Sequence, residues 1–225
     1  MTISWYGQSC FRLETREATL AIDPFSKEIG LTPPHFKADI LLVTHQHPDH
    51  SNVGAIAGDP VLIAGPGEYE TRSISVQGIL TFHDPNGGTE RGLNTAYRIA
   101  LGSEGMVLAH LGDFGEAGLR QETLEALGDI DVLFIPVGGT YTIDSETAAK
   151  IVNQIEPRLV IPMHYQLPGL RVKLSPVDAF LKSYGAGGAE RLEKLSIRKK
   201  DLPEEETRVV VLRTGAETTL EQFRP

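Results

Sequence analysis

The chain has 225 residues, 40% of them hydrophobic and 23% charged, with a formal net charge of −9. That length suits one sizeable core, and the apolar-to-charged balance excludes a disordered or fibrous chain. The negative charge argues against nucleic acid or an anionic membrane as partner, because both draw on positive protein surface.

No apolar run approaches the roughly 20 residues that cross a bilayer, and the start Met1-Thr2-Ile3-Ser4-Trp5 lacks the basic and apolar segments of a signal peptide. A cytoplasmic protein is therefore expected. The single cysteine, Cys10, sits between Ser9 and Phe11 in a strand-like stretch and reads as a small buried hydrophobe rather than a nucleophile. Arg198-Lys199-Lys200 is followed at once by Asp201 and Glu204-Glu205-Glu206, which reads as a solvated hairpin or loop.

In chain order, short runs rich in β-branched residues predict strands at 3–6, 19–22 and 40–43, then a helix at 51–57. Strands follow at 61–64, 79–82, 97–101 and 106–109, a helix at 119–127 and a strand at 132–137. A helix at 145–155 opens on Asp144 or Ser145 as cap with Glu146 in its first turn. A strand at 159–163, a helix at 176–184 and a strand at 209–212 complete the series. Ile40-Leu41-Leu42-Val43 and Val132-Leu133-Phe134-Ile135 are continuous rather than alternating, the mark of a strand covered on both faces, and helices are expected to supply the covers. A strand-rich first half thus meets a second half in which strands and helices alternate, which predicts packed sheets with helices outside, in one domain spanning 1–225.

Polar residues stand where apolar strands stop. Ala21-Ile22 runs into Asp23-Pro24, Val43 into Thr44-His45, Ala109 into His110-Leu111-Gly112-Asp113, and Ile161-Pro162-Met163 into His164-Tyr165. Ligands gather outside the carboxyl ends of such strands. The densest group is His45-Gln46-His47-Pro48-Asp49-His50, which holds three of the chain's 7 histidines. On an extended backbone His45 and His47 project from one side and can pinch a cation. Pro48 disfavours helical angles at His47 and suits a first helical turn itself, so a helix start is expected there, re-aiming Asp49 and His50 beside the first pair. The cluster predicts a metal site, with room for two ions.

These residues carry a resemblance. His45-x-His47-x-Asp49-His50 after an apolar strand resembles the signature of the metallo-β-lactamase superfamily. Trp5-Tyr6-Gly7-Gln8-Ser9-Cys10-Phe11, Ile22-Asp23-Pro24-Phe25, Thr81-Phe82-His83-Asp84, Gly92-Leu93-Asn94-Thr95, His110-Leu111-Gly112-Asp113, Pro136 to Thr142 and Ile161 to Tyr165 resemble its small stand-alone metal-dependent hydrolases, related to ascorbate-phosphate lactonases. The resemblance runs from about Ser4 to Tyr165. It implies a four-layer αβ/βα sandwich, with His45, His47 and His83 on a first metal, Asp49, His50 and His164 on a second, and Asp113 bridging both. It also implies a supporting role for Asp23 and favours His83 over His110 for the third histidine position, which leaves His110 either beside the ligands or toward substrate, or else a plain core histidine. Asn94 and Tyr141 are candidate pocket residues, and His35 in Pro33-Pro34-His35 reads as a solvated loop residue.

Two divalent cations about 3.5 to 4 Å apart can hold and ionise a water between them. Asp49 is the expected acceptor for that water's hydrogen bond, and His164 is expected beside the substrate's oxygen. Imidazoles and carboxylates without thiolates suit zinc first, then manganese or iron. The leading expectation is a hydrolase of small, anionic esters, lactones or phosphoesters. An iron redox enzyme on the same scaffold and a non-catalytic metal-binding regulatory module are the alternatives, and a homo-oligomer would be unsurprising.

Overall fold

Strand Thr2–Gly7 buries every second residue, whereas Ile40–Val43 buries all of its residues, the contrast between a strand covered on one face and a strand covered on both. The computed structural model describes residues 1–214. One sheet of six strands runs in the spatial order Lys194–Ser196, Thr2–Gly7, Cys10–Glu14, Thr19–Ile22, Ile40–Val43, Val61–Ala64. A second, of eight, runs Glu190–Leu192, Arg208–Leu212, Leu159–Met163, Val132–Pro136, Met106–His110, Leu93–Leu101, Ile74–Phe82, Gly67–Thr71. Both sheets are mixed. Antiparallel hairpins occupy one side of each, and parallel pairs the other.

The sheets face each other across a common apolar core. Phe11 of the first sheet meets Phe134 of the second with ring centroids 4.5 Å apart. Tyr97 of the second sheet reaches into the first, where its hydroxyl donates to Val43 O (2.8 Å) and accepts from Gly65 N (3.0 Å). In the second sheet the parallel strands are joined through helices Gln121–Leu127, Ser145–Ile155 and Val177–Tyr184, as parallel pairing requires a crossover. Helix Ser145–Ile155 is capped by Asp144, whose carboxylate accepts from Thr147 N at 2.8 Å, and its Ala148, Ile151, Val152 and Ile155 face the core. This mixed α/β architecture of paired sheets is the expected fold class.

The expected helix at 51–57 does not form. The segment makes a single 3₁₀ turn, Val53–Ala55, and then the strand Ile56–Ala57, which pairs in parallel with Phe36–Lys37. Gly54 and the β-branched Val53 and Ile56 leave too little helical propensity for so short a piece. Asn52 is also committed elsewhere, its N–H to Pro24 O (2.8 Å) and its side-chain amide to Phe25 O (2.9 Å). The outer face of Ile40–Val43 is therefore covered by Ala38, Ile56 and Phe36 against Ala21, Leu41 and Val43, a short ladder in place of a helix. The basic cluster forms another single turn, Lys199–Asp201, with Arg198 paired to Asp201. Strands Gly67–Thr71, Glu190–Leu192 and Lys194–Ser196 carry too many exposed polar residues to show an apolar run.

Candidate metal centre

The strand ends converge at one edge of the paired sheets. Ile40–Val43 delivers Thr44 and His45, Ile74–Phe82 delivers His83, Met106–His110 leads to Asp113, and Leu159–Met163 delivers His164. Three residues leave their strands in the left-handed region: Gln8 (φ 48), Asp23 (φ 46) and His164 (φ 51). Such conformations cost of order 1–3 kcal/mol each for residues with a Cβ and persist where surrounding contacts hold them. Here His164 N donates to Gln8 O at 3.1 Å, tying two of the three together across the sheets. Gly112, at φ 58, permits a close approach, since a Cβ there would stand 2.4 Å from Asn94 Oδ1 and 2.8 Å from Thr44 Cβ.

Past Val43 the chain bends without becoming helical. His50 N and Ser51 N both donate to His47 O, at 2.9 and 3.1 Å, so a single turn rather than the expected helix start folds Asp49 and His50 back beside His45. Two sets of facing donor atoms result. His45, His47 and His83 form one, and Asp49, His50, Asp113 and His164 the other, with the atoms of each set within 4.8 Å of one another. Asp113 stands between them. Its Oδ2 lies 3.3 Å from Nε2 of His83 and 3.3 Å from Nε2 of His164, and its Oδ1 lies 3.2 Å from Nε2 of His50.

The support beneath these donors is specific. Asp23, fully buried, accepts from Thr44 N (2.8 Å) and Thr44 Oγ1 (2.7 Å), and pairs with His50 Nδ1 (2.9 Å). A carboxylate on Nδ1 fixes a proton there and turns Nε2 toward the centre, so that Nε2 is the nitrogen that would ligate an ion displacing its proton, the usual way a ligating imidazole is oriented. Asp113 is held by its own N–H, which donates to Asn94 Oδ1 (3.0 Å), while Asn94 Nδ2 donates to Thr81 Oγ1 (2.7 Å) and Leu111 O (2.8 Å).

The donor set fits a cation. Nε2 of His50 is buried without a hydrogen-bond partner. His45 Nε2 and His47 Nδ1 lie 3.0 Å apart, close to the spacing of about 3.3 Å that two nitrogens take on one tetrahedral ion. Burial, aided by the positive field of His50, pushes the His45 imidazole down to about 2, so its ring is neutral and free to ligate. Burial would also lower His50, but Asp113, Asp49 and Asp23 outweigh it and hold that imidazole well above its ordinary value. Despite burial, the neighbouring imidazoles hold Asp113 and Asp49 below the usual carboxylate range. The pocket thus asks for positive charge among its carboxylates, which a metal ion supplies.

His110 lies outside both sets. Its ring is buried against Phe11 and Phe134, with centroids 5.8 Å away in each case; Nδ1 accepts from Gly112 N (3.2 Å), so Nε2 carries the proton given to Ser9 O (3.0 Å). It braces the backbone beside Asp113 and faces no substrate space. Asn94 is likewise no pocket residue, because its amide is wholly buried in holding Asp113. Tyr141 is 46% exposed, with the Arg91 guanidinium 3.5 Å over its ring. His35 is exposed.

Gln8, by contrast, has no site role in the sequence reading, yet its buried Nε2 lies 3.4 Å from both Asp49 Oδ2 and His164 Nε2. Thr44, which contacts His45 Nδ1 at 3.0 Å, was equally silent, since a lone amide or hydroxyl at a strand end carries no pattern. A cavity of about 410 Å³ opens on the His45 and His47 flank, bounded by Ala64, Pro66, Leu80, Arg91, Leu93 and Thr95.

Residues 2–164 match the model of the β-lactamase superfamily domain. Among relatives, a UPF0173 metal-dependent hydrolase of Salinibacter ruber is 29% identical over 84% of this chain and 94% of its own length. Another, of Pyrobaculum neutrophilum, is 33% identical over 73% and 84%. A crystal structure from Thermotoga maritima, assigned to the Zn-dependent hydrolases of the metallo-β-lactamase superfamily, superposes with a TM-score of 0.75 at 33% identity, covering 94% of this chain and 98% of that one. An isothiocyanate hydrolase from Delia radicum gut bacteria, at 11% identity and a TM-score of 0.68 over 88% of this chain and 100% of that one, shares the fold. The chain belongs to the metallo-β-lactamase superfamily, with the UPF0173 proteins among its relatives.

Proposed function

We propose that the chain is a metal-dependent hydrolase that holds two divalent cations and cleaves a small, anionic ester, lactone or phosphoester. One observation carries this reading: Asp113 Oδ2 lies equally, at 3.3 Å, from an imidazole of each donor set, so one carboxylate can serve two ions. In this reading His45, His47 and His83 hold the first ion, Asp49, His50 and His164 the second, and Asp113 both. Five imidazoles around two ions, with carboxylates as the other donors, suit zinc first, with manganese or iron as alternatives. Bound there, the pair would ionise a water and polarise the scissile carbonyl or phosphoryl group.

The remaining steps belong to the chain. Asp49 is the member of the second set that solvent reaches, its side chain 24% exposed where those of His50, Asp113 and His164 are nearly or fully buried. Held ionised by His50, Asp49 accepts the hydrogen bond of the attacking water and orients it. Gln8 Nε2, 3.4 Å from the Asp49 carboxylate, keeps that carboxylate in place. His164 stands beside the substrate's oxygen. No side-chain nucleophile is required, and Cys10 is out of play, fully buried with its thiol pushed well up by burial. The acidic chain, at −9, favours a small metabolite over nucleic acid or an anionic membrane as partner.

The test is elemental analysis of protein purified without a metal-affinity tag, followed by an ester, lactone and phosphodiester screen. Near two equivalents per chain and turnover abolished in Asp49→Ala, with the fold kept by circular dichroism, are expected. A metal-replete preparation inert across the screen overturns the hydrolase reading, and a single equivalent at saturating metal overturns the paired site.

A further inference from the structure

The cavity beside His45 and His47 carries a positive charge that the reaction above does not use. Its walls are largely apolar, with Leu80 and Leu93 exposed at 41% and 58%, and Arg91 is the one basic side chain among the residues bounding it. Arg12, Arg120, Arg191, Arg198 and Arg208 each face a carboxylate, but among the described residues none lies in ion-pair range of Arg91. The guanidinium is nevertheless held in place. Its Cζ sits 3.5 Å over the Tyr141 ring, a stacking arrangement that favours a cation. Its backbone is held too, since Asp84 accepts from the N–H groups of Asn86, Gly88, Glu90 and Arg91 at 2.8 to 3.1 Å and winds the loop around itself. A braced, uncommitted guanidinium in a mostly apolar pocket beside candidate cation ligands is a recognition element in search of an anion.

We propose that Arg91, braced by Tyr141, is a specificity-determining residue that binds a carboxylate of the substrate, separated from the metal-binding group by a short apolar segment lying against Leu80 and Leu93. A single guanidinium fork matches one planar carboxylate in bidentate fashion, and no second Lys or Arg bounds the cavity to share the contacts of a phosphate dianion. The proposal rests on the hydrolase reading for where the scissile group sits, and not for the preference of Arg91.

The test reads binding rather than turnover. Zinc-loaded full-length protein is titrated calorimetrically with succinate, glutarate and adipate, each beside its monomethyl ester, which removes one carboxylate. At the best-fitting length the wild type is expected to bind the dicarboxylate about tenfold or more tightly than the ester, in line with a charge-assisted hydrogen-bonded pair. Arg91→Ala abolishes that preference with zinc content unchanged, Arg91→Lys keeps part of it, and Tyr141→Ala weakens it while Tyr141→Phe, which keeps a ring, does not. Equal affinities in the wild type, no binding of any dicarboxylate, or a preference that survives Arg91→Ala overturns the proposal. Failure of the hydrolase reading would show separately, as a carboxylate preference in a protein that turns nothing over.

Discussion

Replacing Asp23 by Asn removes a charge from a carboxylate that contacts no cation directly, and so isolates how much the centre owes to its support. Asp23 accepts three hydrogen bonds, from Thr44 N, Thr44 Oγ1 and His50 Nδ1, at 2.8, 2.7 and 2.9 Å. An amide offers one acceptor and one donor group in their place. If its oxygen keeps Thr44 N, its NH₂ meets the Nδ1–H of His50, and either that bond is lost or the proton moves to Nε2, the atom 3.2 Å from Asp113 that faces the centre. Loss of such a carboxylate typically weakens metal affinity 10- to 100-fold, or about 1.4 to 2.7 kcal/mol. Competition with a chromogenic chelator at fixed pH measures it on tag-free protein. Thr44→Val removes one donor to Asp23 and also the partner of His45 Nδ1 at 3.0 Å, so it is expected to weaken metal binding through His45 while leaving the His50 bond in place. Wild-type affinity in Asp23→Asn would refute the claim that Asp23 acts by fixing the His50 tautomer.

His110→Ala should keep its full metal content by elemental analysis, yet lower stability by about 2–5 kcal/mol in urea, because it empties space between Phe11 and Phe134 and strands Ser9 O and Gly112 N. Loss of one equivalent in His110→Ala, with both kept in His83→Ala, would reverse the assignment of the third histidine. Tyr97→Phe leaves Val43 O and Gly65 N without the hydroxyl that ties the sheets, at an expected cost of about 1–3 kcal/mol by denaturant titration with metal content unchanged; an unaltered midpoint would contradict it. Cys10 should resist iodoacetamide in the native protein and react only after denaturation, as mass spectrometry would show, because burial disfavours its thiolate.

The strands that were legible in the sequence are those whose burial leaves no choice of partner. Ile40–Val43, Val132–Pro136 and Leu159–Met163 are apolar throughout because both faces are covered, and Ser145–Ile155 announces itself through Asp144 and a clean apolar stripe. Gly67–Thr71 was silent for the opposite reason. It is an edge strand whose Glu68 and Glu70 face solvent, and its pairing with Ile74–Phe82 rests on backbone hydrogen bonds that no side-chain period reports. The helix expected at 51–57 failed because its apolar residues serve a two-strand ladder with Phe36–Lys37, a tertiary demand that overrides local pattern.

The donors divide along the same physical line. His45 to His50 were readable because several side chains of one chemistry fall within a few residues, and His83, Asp113 and His164 because each follows an apolar strand. The residues that orient them have no such density. Gln8 reaches His164 across 156 positions, the Ser9 hydroxyl reaches Asp113 across 104, and Asn94 holds Asp113 from 19 residues away, each through one amide or hydroxyl that would be ordinary anywhere else in the chain. What makes them functional is backbone geometry: Gln8, Asp23 and His164 hold left-handed angles at three strand ends, and Gly112 lets Asn94 and Thr44 close over the turn before Asp113. A strand continuing straight through His164 would carry its imidazole past Asp113. The turn that prevents this is held by the Gln8 carbonyl accepting the His164 N–H, so the first sheet sets the aim of a donor belonging to the second.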